Sequence, residues 1–269
     1  MNNGNEMDSN AQNQEDEKLY PQQKRRYQST QLMNLLTRPI IAPLIKVLSA
    51  VGLSGDMASL LGLFGYGIGA YFFVQGDNAA IVSGLYIFMA GAFFELIDGG
   101  LARLRGPSAI GHFFAKFLES VYIVLLAPCL AIGLFVSGQE GVGVLLVGVL
   151  GALCHIQFRG AVEHITSNHS SEDFTSMVDG GASGIKRLVI AQFLPDHPLF
   201  TWRDRSGRIV RENLMESSGI QPIILIAFVA AGHAEYFVLY YGAIHICAWL
   251  GFVALKLVML RLGGGGIIL

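Results

Sequence analysis

Acidic side chains gather in one stretch of an otherwise apolar sequence. Glu95 and Asp98 are three residues apart, so a helix would carry both carboxylates on one face. Glu119 ends a second stripe, in which Gly111, Ala115 and Glu119 are each four residues apart. Convergent carboxylates suit hard divalent cations such as Mg²⁺, and such a cation can clamp a phosphate. The spacing therefore predicts a site for a divalent metal and a phosphorylated ligand.

Three basic residues are candidates for binding the anionic part of a ligand. Arg159 ends a predicted span at the same boundary as the acidic group, and Lys186 and Arg187 precede a short apolar segment. Fixed cations in these positions would attract a phosphate on an acceptor molecule or on the donor. The alternative is that they are topology-setting charges beside lipid headgroups.

Structural roles compete with these assignments. Gly111 and Ala115 form a small-xxx-small pattern, which favours helix packing for that pair taken alone. Glu95 and Arg103 would also make a structural ion pair. An ionisable residue inside a spanning helix costs about 2.5–3.5 kcal/mol on insertion scales, so a group of them favours a functional site.

The composition excludes an ordinary soluble domain. The chain has 269 residues, of which 52% are hydrophobic and 14% are charged, whereas a soluble domain averages about 25% charged residues. Its three cysteines have no CxxC spacing, so a disulfide scaffold or a zinc site is not expected. Because about 20 apolar residues cross a bilayer, we predict an all-α polytopic membrane protein with six transmembrane helices. The apolar runs cover roughly 57–76, 79–101, 108–137, 140–162, 217–233 and 236–260.

The remaining segments complete the predicted organisation. Residues 1–30 are polar and read as a disordered tail, and 263–269 as a flexible tail. Apolar positions at helical spacing between Gln31 and Gly52 predict an amphipathic helix in the membrane interface, broken at Pro39 or Pro43. The membrane domain then covers 31–262, with a long cytoplasmic loop at 164–216.

The placement of basic residues predicts the topology. All 18 Lys and Arg residues fall in one set of alternating segments. The positive-inside rule then places both termini and the polar cavity on the cytoplasmic side. A small-solute transporter is an alternative function, but it should carry polar residues at the bilayer midplane rather than at one end of the spans.

The acidic segment also resembles a known signature. It reads Glu95-Leu-Ile-Asp98-Gly99-Gly-Leu-Ala102-Arg103, then after seven residues Gly111-x3-Ala115-x3-Glu119. This is similar to the CDP-alcohol phosphatidyltransferase pattern DxxDGxxAR and GxxxDxxxD, whose spacer is usually one residue longer. The resemblance extends over about residues 31–262 and includes the segments 52–56, 158–163 and 184–188.

The resemblance implies a function in phospholipid biosynthesis. A phosphatidyl-type group would pass from a CDP-linked lipid donor to an alcohol or phosphorylated alcohol, with release of CMP. It further implies a homodimer in the lipid bilayer with no nucleic-acid partner. By the same resemblance, Mg²⁺ or Mn²⁺ would be held by Glu95, Asp98 and Glu119, with Glu119 also the catalytic base. Residues lining the nucleotide would be Asp98, Gly99, Ala102, Arg103 and Gly111.

Three positions depart from this pattern. Ala115 occupies the third acidic position and has no ligand atom, and Glu95 and Glu119 stand where aspartate is usual. Metal binding is therefore expected to be weakened or absent if Ala115 is native. The alternative function is a catalytically inactive family member, whether natural or engineered at Ala115, that binds a nucleotide-lipid or a partner.

Overall fold

The computed structural model describes residues 32–105, 109–168, 213–215 and 219–261, which form helices and short turns with no strand among them. The helices are α1 (Leu32–Ala50), α2 (Gly55–Gln75), α3 (Asn78–Arg105), α4 (Ala109–Val136), α5 (Val142–Asn168), α6 (Gln221–Ala230) and α7 (Ala234–Arg261). Five of them, α2 to α5 and α7, are long and apolar enough to cross a membrane. The all-helical class is confirmed, and the helices indicate an integral membrane protein.

The predicted fifth span differs from expectation. In its place lies α6, whose 10 residues cover about 15 Å, half of the hydrocarbon thickness of a bilayer. Pro222 occupies the first turn of α6. Proline lacks a backbone N–H, so it is favoured at a helix start and interrupts a helix that enters from the preceding residues. The apolar run at 217–233 therefore contains a helix start that hydropathy alone does not reveal.

The N-terminal helix is continuous where a break was expected. α1 runs through both Pro39 and Pro43. Its inner face packs against α3, where Ile41 and Ile45 join a buried cluster with Ala58, Ile97 and Leu101. This packing offsets the backbone hydrogen bonds that the prolines remove. At the end of α1, the guanidinium of Arg105 donates to the carbonyl of Ser49 at 2.5 Å. Placement of α1 in a membrane interface stays a prediction.

α2 is the central helix of the part of the bundle that carries the acidic residues. It packs against both α3 and α4, whereas α3 and α4 make few contacts with each other. The cause is a line of small residues: a Cβ on Gly65 would stand only 2.7 Å from the Cα of Gly91. The backbones of α2 and α3 therefore approach closely, and α2 lies between the two acidic helices.

Aromatic rings fill the centre of the bundle beneath the acidic residues. The ring of Phe88 lies 4.6 Å from that of Tyr66 and 5.4 Å from that of Tyr122, measured between centroids. All three side chains are fully buried. Such large, tightly packed rings fix the positions of α2, α3 and α4 relative to one another.

Candidate functional site

Asp98 is the most deeply buried carboxylate of the acidic group. It lies on α3 with only 4% of its surface exposed. The hydroxyl of Ser59, on α2, donates a hydrogen bond to its Oδ2 at 2.5 Å. Gly55, at the start of α2, faces its other oxygen, and a Cβ there would lie 2.7 Å from Oδ1. The first turns of α2 thus close over Asp98, with room made by a glycine.

Glu95 is held by the same neighbouring helix. Its Oε2 accepts a hydrogen bond from the hydroxyl of Tyr66 at 2.5 Å. Since Tyr66 is fully buried and its ring packs in the aromatic centre, the hydroxyl has a fixed position. The sequence predicts that Glu95 and Asp98 share one face of a helix, and both do face α2.

Glu119 is held by a basic residue from α5. Nη2 of Arg159 lies 2.5 Å from Oε2 of Glu119 and 3.4 Å from Oε1 of Glu163. Arg159 is 18% exposed, while Glu119 is 35% and Glu163 47% exposed. The other terminal nitrogen of Arg159, Nη1, is buried and has no hydrogen-bond partner among the residues that the structure describes. The ion pair therefore has a more exposed acidic side and a more buried basic side.

The four helices α2 to α5 bring these charged groups into one region. A Cβ on Gly62 of α2 would lie 3.7 Å from the backbone nitrogen of Glu95 and 3.7 Å from Cδ1 of Leu118, the residue before Glu119. Arg159 thus lies beside Glu119 of the acidic group. A site of this kind can hold an anion through the guanidinium and exchange a proton with a carboxylate.

The remaining candidate residues are placed only in part. Gly99 and Ala102 are half-buried on α3, close to Asp98 in the chain, and Gly111 is half-buried on α4. Arg103 and Ala115 belong to α3 and α4. The two other predicted phosphate-binding residues, Lys186 and Arg187, lie outside the described residues.

The donor atoms do not fit the expected metal site. Glu95 and Asp98 each accept a hydrogen bond from a hydroxyl of α2, Glu119 is paired with Arg159, and residue 115 has no ligand atom. In the described ranges, no three His, Cys, Asp or Glu side chains form a group that could hold a metal ion. As arranged here, the three carboxylates offer no common ligand set for Mg²⁺ or Mn²⁺.

A second polar cluster was not anticipated from the sequence. Its four side chains, all buried, come from α5, α6 and α7: His155, Gln221, Tyr241 and His245. The imidazole rings stack with centroids 3.9 Å apart, and Nδ1 of His155 lies 2.8 Å from the hydroxyl of Tyr241. The two histidines lie close to the middle of the spans 142–164 and 234–254. The available signal was a histidine near the middle of each of these two apolar runs.

Ser59 and Tyr66 were also missed. Each is an isolated hydroxyl in the apolar run of α2, and nothing near it in the chain suggests a partner. Their role depends on how closely α2 approaches α3.

Comparison with known proteins adds no relative. No protein-family model matches the chain, and no curated protein or solved structure matches it.

Proposed function

We propose that this protein is a CDP-alcohol phosphotransferase-like protein of the membrane. It would move a phosphatidyl-type group from a CDP-linked lipid donor to an alcohol and release CMP. One observation carries the proposal: the acidic residues of the motif lie near one another, with Glu95 and Asp98 bonded to α2 and Glu119 paired with Arg159, in an otherwise apolar bundle. A polar region of this kind can hold a charged headgroup while the acyl chains of the donor remain in the bilayer.

Residues of this chain can perform the transfer in the following way. Arg159 holds phosphate oxygens of the donor, as a guanidinium binds phosphate through paired N–H groups. Glu119 accepts the proton of the acceptor hydroxyl. The acceptor oxygen then bonds to the lipid-linked phosphorus, and the bond from that phosphorus to the bridging oxygen breaks, so that CMP leaves. Ser59 and Tyr66 keep Asp98 and Glu95 fixed.

The test is CMP release from CDP-diacylglycerol by the purified protein in detergent. A panel of alcohols and phosphorylated alcohols is supplied as acceptors, and the chain with Ala115 is compared with Ala115→Asp. Release that depends on one acceptor supports the proposal. Absence of release by both chains with every acceptor contradicts it.

A second candidate is a catalytically silent protein that binds a nucleotide-lipid. The observation in its favour is the pairing of Glu119 with Arg159 next to a motif position that has lost its carboxylate. This candidate predicts binding of CDP-diacylglycerol without release of CMP, and it predicts release only after Ala115→Asp. The same assay therefore separates the two functions.

The buried cluster that contains His155 and His245 bears on the alternative that the protein is a transporter. Polar residues near the middle of spanning helices are what a transporter requires. Here, however, the polar groups are bonded largely to one another and to backbone carbonyls. We therefore favour a structural role for this cluster.

A further inference from the structure

We propose that Arg159 takes the place of a divalent metal in this site. A diphosphate would then bind by displacing Glu119 from Arg159, with no metal needed. The inference rests on the proposed function only in that the diphosphate is assigned to a CDP-linked lipid. It follows from the disagreement between the donor atoms and the metal site that the motif implies.

The three carboxylates already have partners that a metal would have to displace. A shared metal would have to compete with a buried hydroxyl for an oxygen of Glu95 and of Asp98, each at 2.5 Å. It would also have to take Glu119 from Arg159, at 2.5 Å. Residue 115 would add no oxygen, although Mg²⁺ needs near-octahedral coordination by oxygen ligands. The arrangement thus favours the cation that the chain itself supplies.

Arg159 has hydrogen-bond donors that a phosphate can use. A guanidinium presents five N–H groups in a planar fork that matches phosphate oxygens. The carboxylates of Glu119 and Glu163 both contact Nη2, while Nη1 is buried without a hydrogen-bond partner among the described residues. A buried donor without a partner is costly, so a ligand oxygen that reaches it is favoured.

The acidic partners of Arg159, Glu119 and Glu163, differ from it in exposure. Glu119 and Glu163 are more exposed than Arg159, so the acidic side of the ion pair is the side that a phosphate can replace. Arg159 can stay where it is, on α5. Glu119 is then a competitor of the ligand in the resting protein, and it becomes available as a base once the ligand is bound.

Two explanations of Glu119 make opposite predictions. If Glu119 is a metal ligand, its replacement by glutamine weakens the binding of a diphosphate, and binding requires Mg²⁺. If Glu119 competes with the ligand for Arg159, the same replacement strengthens binding, and a chelator has no effect. The direction of one change in affinity therefore decides between them.

The experiment measures the binding of inorganic pyrophosphate and of CDP to the full chain in detergent, by calorimetry. Each titration is made in EDTA and again with millimolar Mg²⁺. The variants are Glu119→Gln, Arg159→Gln and Arg159→Lys. The matched control is Glu140→Gln, which removes the same charge beyond the other end of α4.

We expect pyrophosphate to bind in EDTA, and about threefold tighter to Glu119→Gln because a partly exposed ion pair is lost. Arg159→Gln should weaken binding about tenfold. Arg159→Lys, which keeps the charge but loses the fork, should lie between them and tests the idea if the glutamine variant does not fold. Glu140→Gln should bind as the unchanged chain does.

Binding that appears only with Mg²⁺, or that weakens in Glu119→Gln, overturns the inference. So does the absence of pyrophosphate and CDP binding in both buffers. Failure of the proposed function is a separate result, because it is a lack of CMP release. Metal-free binding without CMP release would leave this inference intact and contradict the transferase.

Discussion

The hydroxyls of Ser59 and Tyr66 give the two carboxylates of α3 fixed positions, whereas Glu119 is held by an ion pair near the surface. This difference suits different tasks. A buried carboxylate with a short hydrogen bond keeps its geometry, because moving it would leave a polar group without a partner. A partly exposed ion pair is weaker and can be exchanged.

Tyr66→Phe tests the fixed part of the site. The change removes one oxygen and leaves the Glu95 carboxylate without this donor, so we expect the free energy of unfolding to fall by about 1–3 kcal/mol. If the transferase proposal holds, CMP release should fall as well. Thermal unfolding in detergent measures the first effect. The control is Tyr86→Phe, because Tyr86 is 73% exposed and should tolerate the change. Equal losses in both variants would show that the Tyr66 hydroxyl has no special role.

Contacts between residues close together in the chain could be predicted from the sequence, whereas contacts between distant residues could not. Glu95 and Asp98 share a face because they are three apart on one helix, and helix geometry alone predicts this. The pairing of Glu119 with Arg159 joins α4 to α5 and depends on how those helices rotate against each other. The spacing of residues within one helix does not predict this rotation.

The glycines of α2 and α3 decide whether the site forms at all. Gly62, Gly65 and Gly69 face α3, and a Cβ on any of them would meet an atom of α3 at 2.7–3.2 Å. Close approach of this kind is typical of membrane helices, whose association depends on packing rather than on the hydrophobic effect. The short distance between the backbones lets hydroxyls of α2 reach carboxylates of α3.

Gly65→Ala should therefore separate α2 from α3. The new methyl group would meet the Gly91 backbone at 2.7 Å, and we expect a cost of about 1–3 kcal/mol from overpacking. Gly67→Ala is the matched control on the same helix, because nothing lies within 4 Å of a Cβ there. Thermal unfolding of the two variants in detergent measures the difference. A Gly67→Ala protein that is as unstable as Gly65→Ala would contradict the packing argument.

The polar cluster explains how α6 can begin inside the bundle. The side-chain nitrogen of Gln221 donates to the carbonyls of Leu214 and Met215 at 3.2 and 2.9 Å. Nε2 of His245 lies 3.3 Å from the same carbonyl of Met215. Carbonyl groups at the end of a helix have no partner within that helix, and they need one elsewhere in the protein when they are buried. Gln221 is such a partner for Leu214 and Met215, which lie in the short helical segment 213–215.

Gln221→Ala should loosen the chain before α6. The carbonyls of Leu214 and Met215 would each lose the Gln221 donor and keep only a longer side-chain contact, and we expect the free energy of unfolding to fall by about 1–3 kcal/mol. Limited proteolysis in detergent should then cut more rapidly near residues 213–220. Gln157→Ala is the control, since Gln157 is exposed on α5. Unchanged stability and cleavage in Gln221→Ala would show that the cluster does not hold this segment.

For the molecule as a whole, hydropathy predicted the membrane character and five of the spans because length and apolarity decide them locally. The sixth span is not confirmed among the described residues, where α6 starts beside Pro222 inside an apolar run. Hydropathy also could not reveal that α2 lies between the two acidic helices, since that depends on which glycines face each other.

The membrane topology of the whole chain can be tested through the turns between its helices. The turns at 76–77, 137–141 and 231–233 contain no Lys or Arg. The positive-inside rule therefore predicts that these turns face the side opposite to residues 1–30. Single cysteines at Asp77, His233 and Asn10, in a chain with Cys129, Cys154 and Cys247 replaced by serine, allow a direct test. In intact cells, a membrane-impermeant maleimide should label the first two sites, and should label position 10 only after the membrane is opened. The positive-inside assignment fails if positions 10 and 77 are labelled from the same side. It also fails if 77 and 233 are labelled from opposite sides, because α6 and α7 would then not return the chain as the alternating charge pattern requires.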